Sequence, residues 1–337
     1  MKSNVSSTIG TIGTLAQRMP LRSAVITGGN TGLGYACAAS LLVSPEGPPW
    51  HVVLACRDKE RAQGAVERLA QVAGASHRVE AMSLDLASLA SVRAFATELA
   101  SRVRVGAMPP LHGLVCNAGV QSGTKRSFTA DGFESTFGIN HLGHFLLVNM
   151  LLPILVPPVR VVVVASGTHD PAQNTRVPVP AWNNPAALSR GELGTPAASD
   201  GPFARGQRLY ATSKLANIYF TYALARRFPA GVTANAFDPG LMPGTGLTRE
   251  APAPIRFVAK HVLPYTKPLL RRFLTSNVHT VEESGASLAR LLTDPTLADT
   301  TGKYFEGRRE IHSSVESYDE GRAEELWQVS GALTALP

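Results

Sequence analysis

The chain has 337 residues, of which 44% are hydrophobic and 17% charged, with a formal net charge of +7. A charged fraction below the usual ~25% excludes a disordered or coiled-coil protein, and the length admits one large α/β domain or two small ones. The cations are spread along the chain with no sustained Lys/Arg run, so nucleic acid is not an expected partner.

Three cysteines, Cys37, Cys56 and Cys116, without a C-x-x-C, point to small core residues, not to a disulfide framework or a thiolate metal site. The most apolar stretch, 145–156, is only ~12 residues and contains Pro153, against ~20 for a membrane span. The N-terminus lacks the apolar core of a secretion signal. The expectation is a reduced, cytoplasmic chain without a membrane span.

Residues 1–20 are polar and Gly/Ser/Thr-rich and read as a flexible lead-in. From Leu21 a rhythm of strand, glycine turn and helix begins. Ser23–Thr27 is a short apolar run, followed by helical spacing from Leu33 to Val43. His51–Ala55 is a second strand, and Lys59–Ala73 a second helix. Val79–Leu84 leads into a helix opened by Ser88; Leu111–Cys116 and Arg160–Ala165 complete the clear strands. Near-continuous Val/Ile/Leu strands alternating with helices predict a parallel sheet covered on both faces. The expected fold is one doubly wound α/β Rossmann domain over 21–335, with about seven strands.

Two segments break the rhythm. Residues 168–208 are rich in Pro, Ala, Gly and Ser and read as an insertion; 241–278 read as a substrate lid. Trp182, Phe203, Leu241, Met242, Leu247, Phe257, Val258 and Leu263 are their candidate apolar lining.

Thr27-Gly-Gly-Asn-Thr-Gly-Leu-Gly34 joins the first strand to the first helix. Gly28 permits a tight turn, Gly32 lets the backbone approach a pyrophosphate, and Gly34 lets helix and strand pack closely; Asn30, Thr31 and Leu33 complete the cradle. At the end of the second strand, where a carboxylate would bind a ribose 2′-hydroxyl, stand Ala55-Cys56-Arg57-Asp58. A guanidinium there suits a 2′-phosphate, so Arg57 predicts NADPH/NADP+ as the cofactor. Asp58 is the alternative ribose partner.

Tyr210 and Lys214, in Tyr-Ala-Thr-Ser-Lys, lie four apart at what reads as the start of a helix and share a face. An adjacent ammonium stabilises the phenolate, so the pair can pass a proton to a carbonyl oxygen as hydride arrives. Ser166, at the end of the fifth strand, can hydrogen-bond the same oxygen.

The order of these parts resembles the short-chain dehydrogenase/reductase superfamily over roughly residues 21–335. It rests on T-G-G-N-T-G-L-G (27–34), Asp85-Leu86, Asn117-Ala118-Gly119, Asn140, Ser166, Y-A-T-S-K (210–214) and Asp238-Pro239-Gly240. The resemblance implies that Asp85 and Leu86 flank the adenine and that Asn117 to Gly119 line its ribose. It further implies that Asn140 supports a water relay to Lys214, whose ammonium also holds the nicotinamide ribose. Pro239, Gly240 and Met242 are implied to back the nicotinamide. Within the superfamily, W-H-V-V-L-A-C-R-D (50–58), L-D-L-A-S-L (84–89), F-T-A-D-G-F-E (128–134) and N-H-L-G-H-F-L-L (140–147) resemble the branch of retinol dehydrogenase-like enzymes and light-dependent protochlorophyllide reductases. The long stretch between Ser166 and Tyr210 fits the latter. One departure is Leu241, where the pigment enzymes carry a Cys.

His141 and His144 stand at a metal-compatible spacing, but no nearby carboxylate or thiol completes a site. The basic set Arg256, Lys260, Lys267, Arg271 and Arg272 reads as a solvated helix face or as a peripheral membrane contact. The leading functional expectation is an NADPH-dependent carbonyl reductase, or the reverse alcohol oxidation, for a bulky apolar substrate. The alternatives are reduction of a tetrapyrrole ring C=C bond and a non-catalytic NADP-binding sensor. A homo-oligomer built on helices four and five is left open.

Overall fold

Eight strands form one sheet in the order β3-β2-β1-β4-β5-β6-β7-β8. The computed structural model describes residues 21–44, 47–173, 175, 177–195, 200–242 and 277–336. The lead-in 1–20 and most of the expected lid lie outside these residues, including Leu247, Phe257, Val258, Leu263 and the five basic residues from Arg256 to Arg272.

The first six strands are β1 (Arg22–Thr27), β2 (Trp50–Cys56), β3 (Arg78–Ser83), β4 (Leu111–Cys116), β5 (Val159–Val164) and β6 (Val232–Asp238). They run parallel to their neighbours. Every residue of β2 and β6 is buried. A sheet covered on both faces hides both alternating sets of side chains, which is why these strands read as unbroken apolar runs. The order reverses between β1 and β4, and the crevice outside their C-terminal ends is where such sheets bind ligands.

The sheet has eight strands where about seven were expected, and its far edge is a short hairpin. β7 (Tyr304–Glu306) lies parallel to β6, and β8 (Arg309–Ile311) turns back antiparallel to β7. Each has only three residues, too few to display a period-two pattern.

The helices are α1 (Gly32–Leu42), α2 (Lys59–Val72), α3 (Leu89–Arg104), α4 (Ser135–Ile154), α5 (Pro185–Ser189), α6 (Pro202–Arg227), α7 (Val281–Thr293) and α8 (Glu320–Leu333). The Asp58 carboxylate caps α2 by accepting from Arg61 N at 3.0 Å, and Ser88 caps α3 through Ser91 N at 3.3 Å. Such caps each contribute about 1 kcal/mol. α4 passes through a π-helical turn at Gly138–Leu142 and continues to Ile154, so the apolar helix is longer than its composition suggested. It is long and apolar enough to cross a membrane, yet 72% of its most apolar stretch is buried inside the protein, the mark of a core helix.

α8 covers the outer faces of α4 and α6. Trp327 lies 5.1 Å from Phe145 and 6.1 Å from Phe220 between ring centroids, and His141 Nε2 meets Ser330 Oγ at 2.8 Å. The faces of α4 and α6 covered by α8 are occupied within the chain.

The irregular stretch after β5 ends earlier than expected. α6 begins at Pro202, so Tyr210 sits in its third turn and not at its start. Proline at the first helical position and the small residues that follow hid this onset among loop-forming residues. The segment before α6 is fastened to it. Arg208, buried, holds Asp200 through Nε at 2.5 Å and Nη2 at 3.0 Å, and donates to Val179 O at 2.7 Å. Trp182 packs edge-on against Tyr219 at 4.8 Å and joins the core cluster under α8, so it lines the helix and not the ligand crevice.

Candidate active site

The C-terminal ends of β1 and β4 are tied together by one hydroxyl. Thr27 Oγ1 accepts from Asn117 N and Ala118 N, both at 2.9 Å, while Asn117 Nδ2 donates to Thr27 O at 2.8 Å. Gly28 then turns the chain with φ +65°, a conformation that costs glycine nothing. A Cβ on Gly34 would lie 2.6 Å from Asn117 Nδ2 and 2.8 Å from Gly28 O, so only glycine lets α1 start this close to the strand. A Cβ on Gly32 would meet nothing within 4 Å, so this side of the loop is open. Thr31, the N-cap, makes no side-chain cap bond, and the start of a helix offers N–H groups that an anion can take up.

At the end of β2, Arg57 is exposed. Asp58 is engaged as the α2 cap and pairs with Arg61 Nε at 3.2 Å. Of the two candidates for the cofactor ribose, the carboxylate is thus committed elsewhere, and among the described residues the guanidinium has no hydrogen-bond or ion-pair partner. Cys56 is buried, its thiol pushed up by burial, and plays the part of a small core residue. Asp85, after β3, accepts Ala87 N at 3.0 Å; Leu86 is buried beneath Gly143 of α4, whose Cβ would lie 2.7 Å from Leu86 O.

Asn140, Gly119 and Lys214 converge: a Cβ on Gly119 would sit 3.3 Å from Asn140 Oδ1 and 3.7 Å from Lys214 Nζ. Asn140 occupies the π-helical turn of α4, fully buried. Its side chain donates to Val120 O at 2.9 Å and Ser213 Oγ at 3.0 Å, and accepts from Val120 N at 2.8 Å. Both amide hydrogens are therefore committed within the protein. Lys214 Nζ donates to Val164 O at 2.9 Å and lies 5.4 Å from the centroid of the Tyr210 ring. Ser166 Oγ accepts from Thr168 N at 3.3 Å, and its hydroxyl lies near enough to the Tyr210 phenol to influence its proton affinity. Burial pushes the Tyr210 phenol up, Asp238 pushes it in the same direction, and Ser166 opposes them. Burial brings Lys214 down to about 8, against the pull of Asp238.

Three functional groups escaped sequence reasoning. His169 is fully buried; Ser314 N donates to its Nε2 at 3.0 Å, so the proton is on Nδ1, which donates to Ser166 O at 2.7 Å. This imidazole fixes the main chain at Ser166, but its other partner is 145 residues away. His144 does similar service between Asn140 O, 3.1 Å from Nδ1, and Thr27 Oγ1, 2.9 Å from Nε2. The i,i+4 spacing of Asn140 and His144 was the available signal. Asp238 is the third: it lay inside the Asp238-Pro239-Gly240 motif without a role of its own, and its carboxylate is buried at the end of β6. Gly240, with φ +72°, donates its N–H to Asp238 Oδ1 at 2.9 Å, and Pro239 O accepts Ser284 Oγ at 2.7 Å. Leu241 is 36% exposed beside this turn, and Met242 is half-buried against the sheet. Among the described residues no three His, Cys, Asp or Glu side chains group to hold a metal ion.

Comparison with known proteins agrees with this geometry. A short chain dehydrogenase family model matches residues 22–177, and an AcuH dehydrogenase domain model matches 246–334. The chloroplastic protochlorophyllide reductase of Chlamydomonas reinhardtii is 36% identical, over 94% of this chain and 78% of its own length. Protochlorophyllide reductase A of Oryza sativa is 35% identical, over 93% and 80%. A solved structure from Mycobacterium Paratuberculosis superposes with a TM-score of 0.60 at 28% identity, covering 94% of this chain and 96% of the other. A Burkholderia cenocepacia short chain dehydrogenase in complex with NADP shares the fold, with a TM-score of 0.57 at 23% identity over 86% and 96%. The chain is an oxidoreductase that belongs to the short-chain dehydrogenase/reductase family, in its protochlorophyllide reductase-like branch.

Proposed function

We propose that this protein is an NADPH-dependent reductase of a bulky apolar substrate, acting on a carbonyl group. The observation that carries the reading is the convergence of Ser166, Tyr210 and Lys214 on one another, with Asn140 closing the group behind Gly119. NADPH, when bound, supplies a hydride. The residues present fit it: an open glycine loop at the uncapped start of α1, and Arg57 beside an already committed Asp58. Arg57 holds the 2′-phosphate, and the α1 N-terminus the pyrophosphate.

Tyr210 gives its proton to the substrate atom that becomes electron-rich. Ser166 donates a hydrogen bond to a developing oxyanion, where a fixed donor is worth most. Lys214, fixed by Val164 O, presents its ammonium to the phenol and stabilises the negative charge left on it. Burial brings its pKa down to about 8, which leaves it mostly charged at neutral pH. A second reading, protonation of a ring carbon during reduction of a conjugated C=C bond, is favoured by the 34–36% identity to protochlorophyllide reductases over at least 93% of the chain. Leu241 counts against a photochemical version of it.

The test is NADPH oxidation followed by absorbance over a panel of lipophilic aldehydes, ketones and cyclic tetrapyrroles, in darkness and under illumination. Turnover of carbonyl compounds in darkness supports the first reading. Turnover of tetrapyrroles alone selects the second, and NADPH binding without turnover of either panel would mark a non-catalytic sensor.

A further inference from the structure

We propose that Asp238 is the positioning carboxylate of this site: it fixes the turn carrying Pro239 and Gly240 and sets a buried negative charge behind Tyr210 and Lys214. The inference rests on the reading of Tyr210 and Lys214 as the proton-handling pair.

The geometry is that of a clamp. Asp238 ends β6 and is 2% exposed. Its Oδ1 accepts Gly240 N at 2.9 Å, across the turn that leaves the strand; its Oδ2 accepts Asn277 Nδ2 at 2.9 Å, from the far end of the segment that returns to it. Leu241 N donates to Asn277 O at 2.8 Å, and Leu241 pairs with Val278 in a parallel bridge, so departing and returning chains meet beside one carboxylate. On its other side stands the loop that carries Ser166. A Cβ on Gly167 would lie 3.0 Å from Asp238 Oδ2, so glycine is what lets the carboxylate approach.

A carboxylate in such a place is unusual for the cost of burying it, which an Asn could avoid. Its surroundings among the described residues explain what that cost supports. From α6, Lys214 Nζ is held 2.9 Å from Val164 O, and Val164 pairs across the sheet with Phe237, the residue before Asp238. Ammonium and carboxylate thus sit at adjacent strand ends, with Tyr210 one helical turn from Lys214. From β7, Glu306 pairs with Asp238, and Tyr304 lies two residues before Glu306. Through Asn277, Asp238 is linked to His279, whose Nε2 is 3.0 Å from Asn277 Oδ1. Lys214 is the cation among these groups, and it is 3% exposed. A buried ammonium without a counter-charge would tend to lose its proton. Asp238 opposes that loss, and it adds to burial in keeping Tyr210 in the protonated form that a donor requires. Burial brings Asp238 itself up to about 6, so it is charged at neutral pH.

The test reads Lys214 directly in the cofactor-free protein. The 13Cε resonance of Lys214, assigned through Lys214→Arg, is titrated in the unmutated protein and in Asp238→Asn. The expected result is a downward move of the Lys214 midpoint by about one pH unit in the variant, the scale of losing a nearby opposite charge. The alkaline limb of NADPH-dependent turnover should move downward with it. An unmoved midpoint in a folded variant overturns the proposal. If Asp238→Asn fails to fold, the unmutated protein decides: the Lys214 resonance should show a minor step near pH 6, where Asp238 titrates, and its absence overturns the proposal. A shifted Lys214 midpoint with no reductase activity on any panel would leave this charge coupling standing and refute the proposed reaction instead.

Discussion

At the phosphate end of the crevice, Thr27, Gly28, Gly34 and Asn117 hold one another through main-chain groups, a hydroxyl and an amide within the loop and the neighbouring strand ends. At the proton-handling end, Asn140, Ser166, His169, Tyr210, Lys214 and Asp238 come from four separate elements and turns, all but Ser166 buried. In the proposed reading the first end leaves space and N–H groups open to an anion. The second works by burying ionisable groups and letting them set one another's proton affinity. A binding loop tolerates solvent because backbone dipoles do not titrate; a proton-transfer site gains from exclusion of water, where each charge acts more strongly.

That contrast can be broken at either end. The largest effect is expected from Tyr210→Phe, which removes the proton donor and almost no volume. Turnover should fall about 10²–10⁴-fold, while NADPH affinity, measured by fluorescence titration, should stay within twofold of the unmutated protein. Equal losses in both would place Tyr210 in binding and erase the division between the two ends.

Arg208→Ala tests whether the stretch before α6 is part of the fixed frame. Removing a buried guanidinium strands Asp200 and frees Val179 O, at a cost of about 3 kcal/mol. Denaturant unfolding should show that loss, and hydrogen exchange should quicken over 177–195 with NADPH affinity unchanged. Unchanged exchange there would mean that the stretch is held by Trp182 and its neighbours alone.

Arg57→Ala should remove a charge-assisted contact worth roughly 1.5–3 kcal/mol. The preference for NADPH over NADH, measured as a ratio of dissociation constants, should narrow by the matching ~10–150-fold. An unmutated protein that binds both cofactors equally would contradict the role given to Arg57.

The glycine loop, Arg57, Ser166 and the Tyr210–Lys214 pair were legible because each depends on neighbours close in sequence, where turn chemistry and helical spacing speak plainly. The onset of α6 was not, since Pro202 and Gly206 look like loop residues until Gly206 is seen packed against the main chain of Ser122 and Gly123. His169 was illegible for a different reason. Its tautomer and its work depend on Ser314, and no local pattern in Ser166-Gly-Thr-His169 announces that partner. Asp238 lay inside a recognised tripeptide, yet its meaning comes from Asn277, Gly167 and Lys214, which only the folded chain assembles.

The smallest predicted effect is a pH dependence of stability with a defined sign. Burial holds His141 at about 3 and His144 and His169 at about 4, so all three are neutral when folded and take up protons on unfolding below the ordinary value of 6.5. Each contributes a loss of stability of about 1.4 kcal/mol per pH unit as pH falls through that window. Asp238 has the opposite sense, since its folded value of about 6 lies above the ordinary 3.8 and it binds its proton more tightly in the folded state. Between pH 6 and 4.5 these four groups together leave a net uptake of about two protons on unfolding, and stability should fall accordingly. His169→Gln should flatten that slope by about one proton. A slope unchanged by the substitution would mean that His169 is not held neutral between Ser166 and Ser314.

The most direct test of the joint action of the two ends follows both hydrogens in one product. NADPH carrying deuterium at the hydride position is supplied with an accepted substrate from the panel in ordinary water, and the product is analysed by mass spectrometry and NMR. The account predicts one deuterium delivered to a single face of one carbon, a solvent-derived proton on the adjacent atom, and loss of this product in Tyr210→Phe. A product without deuterium, or one formed at the normal rate by Tyr210→Phe, would contradict it.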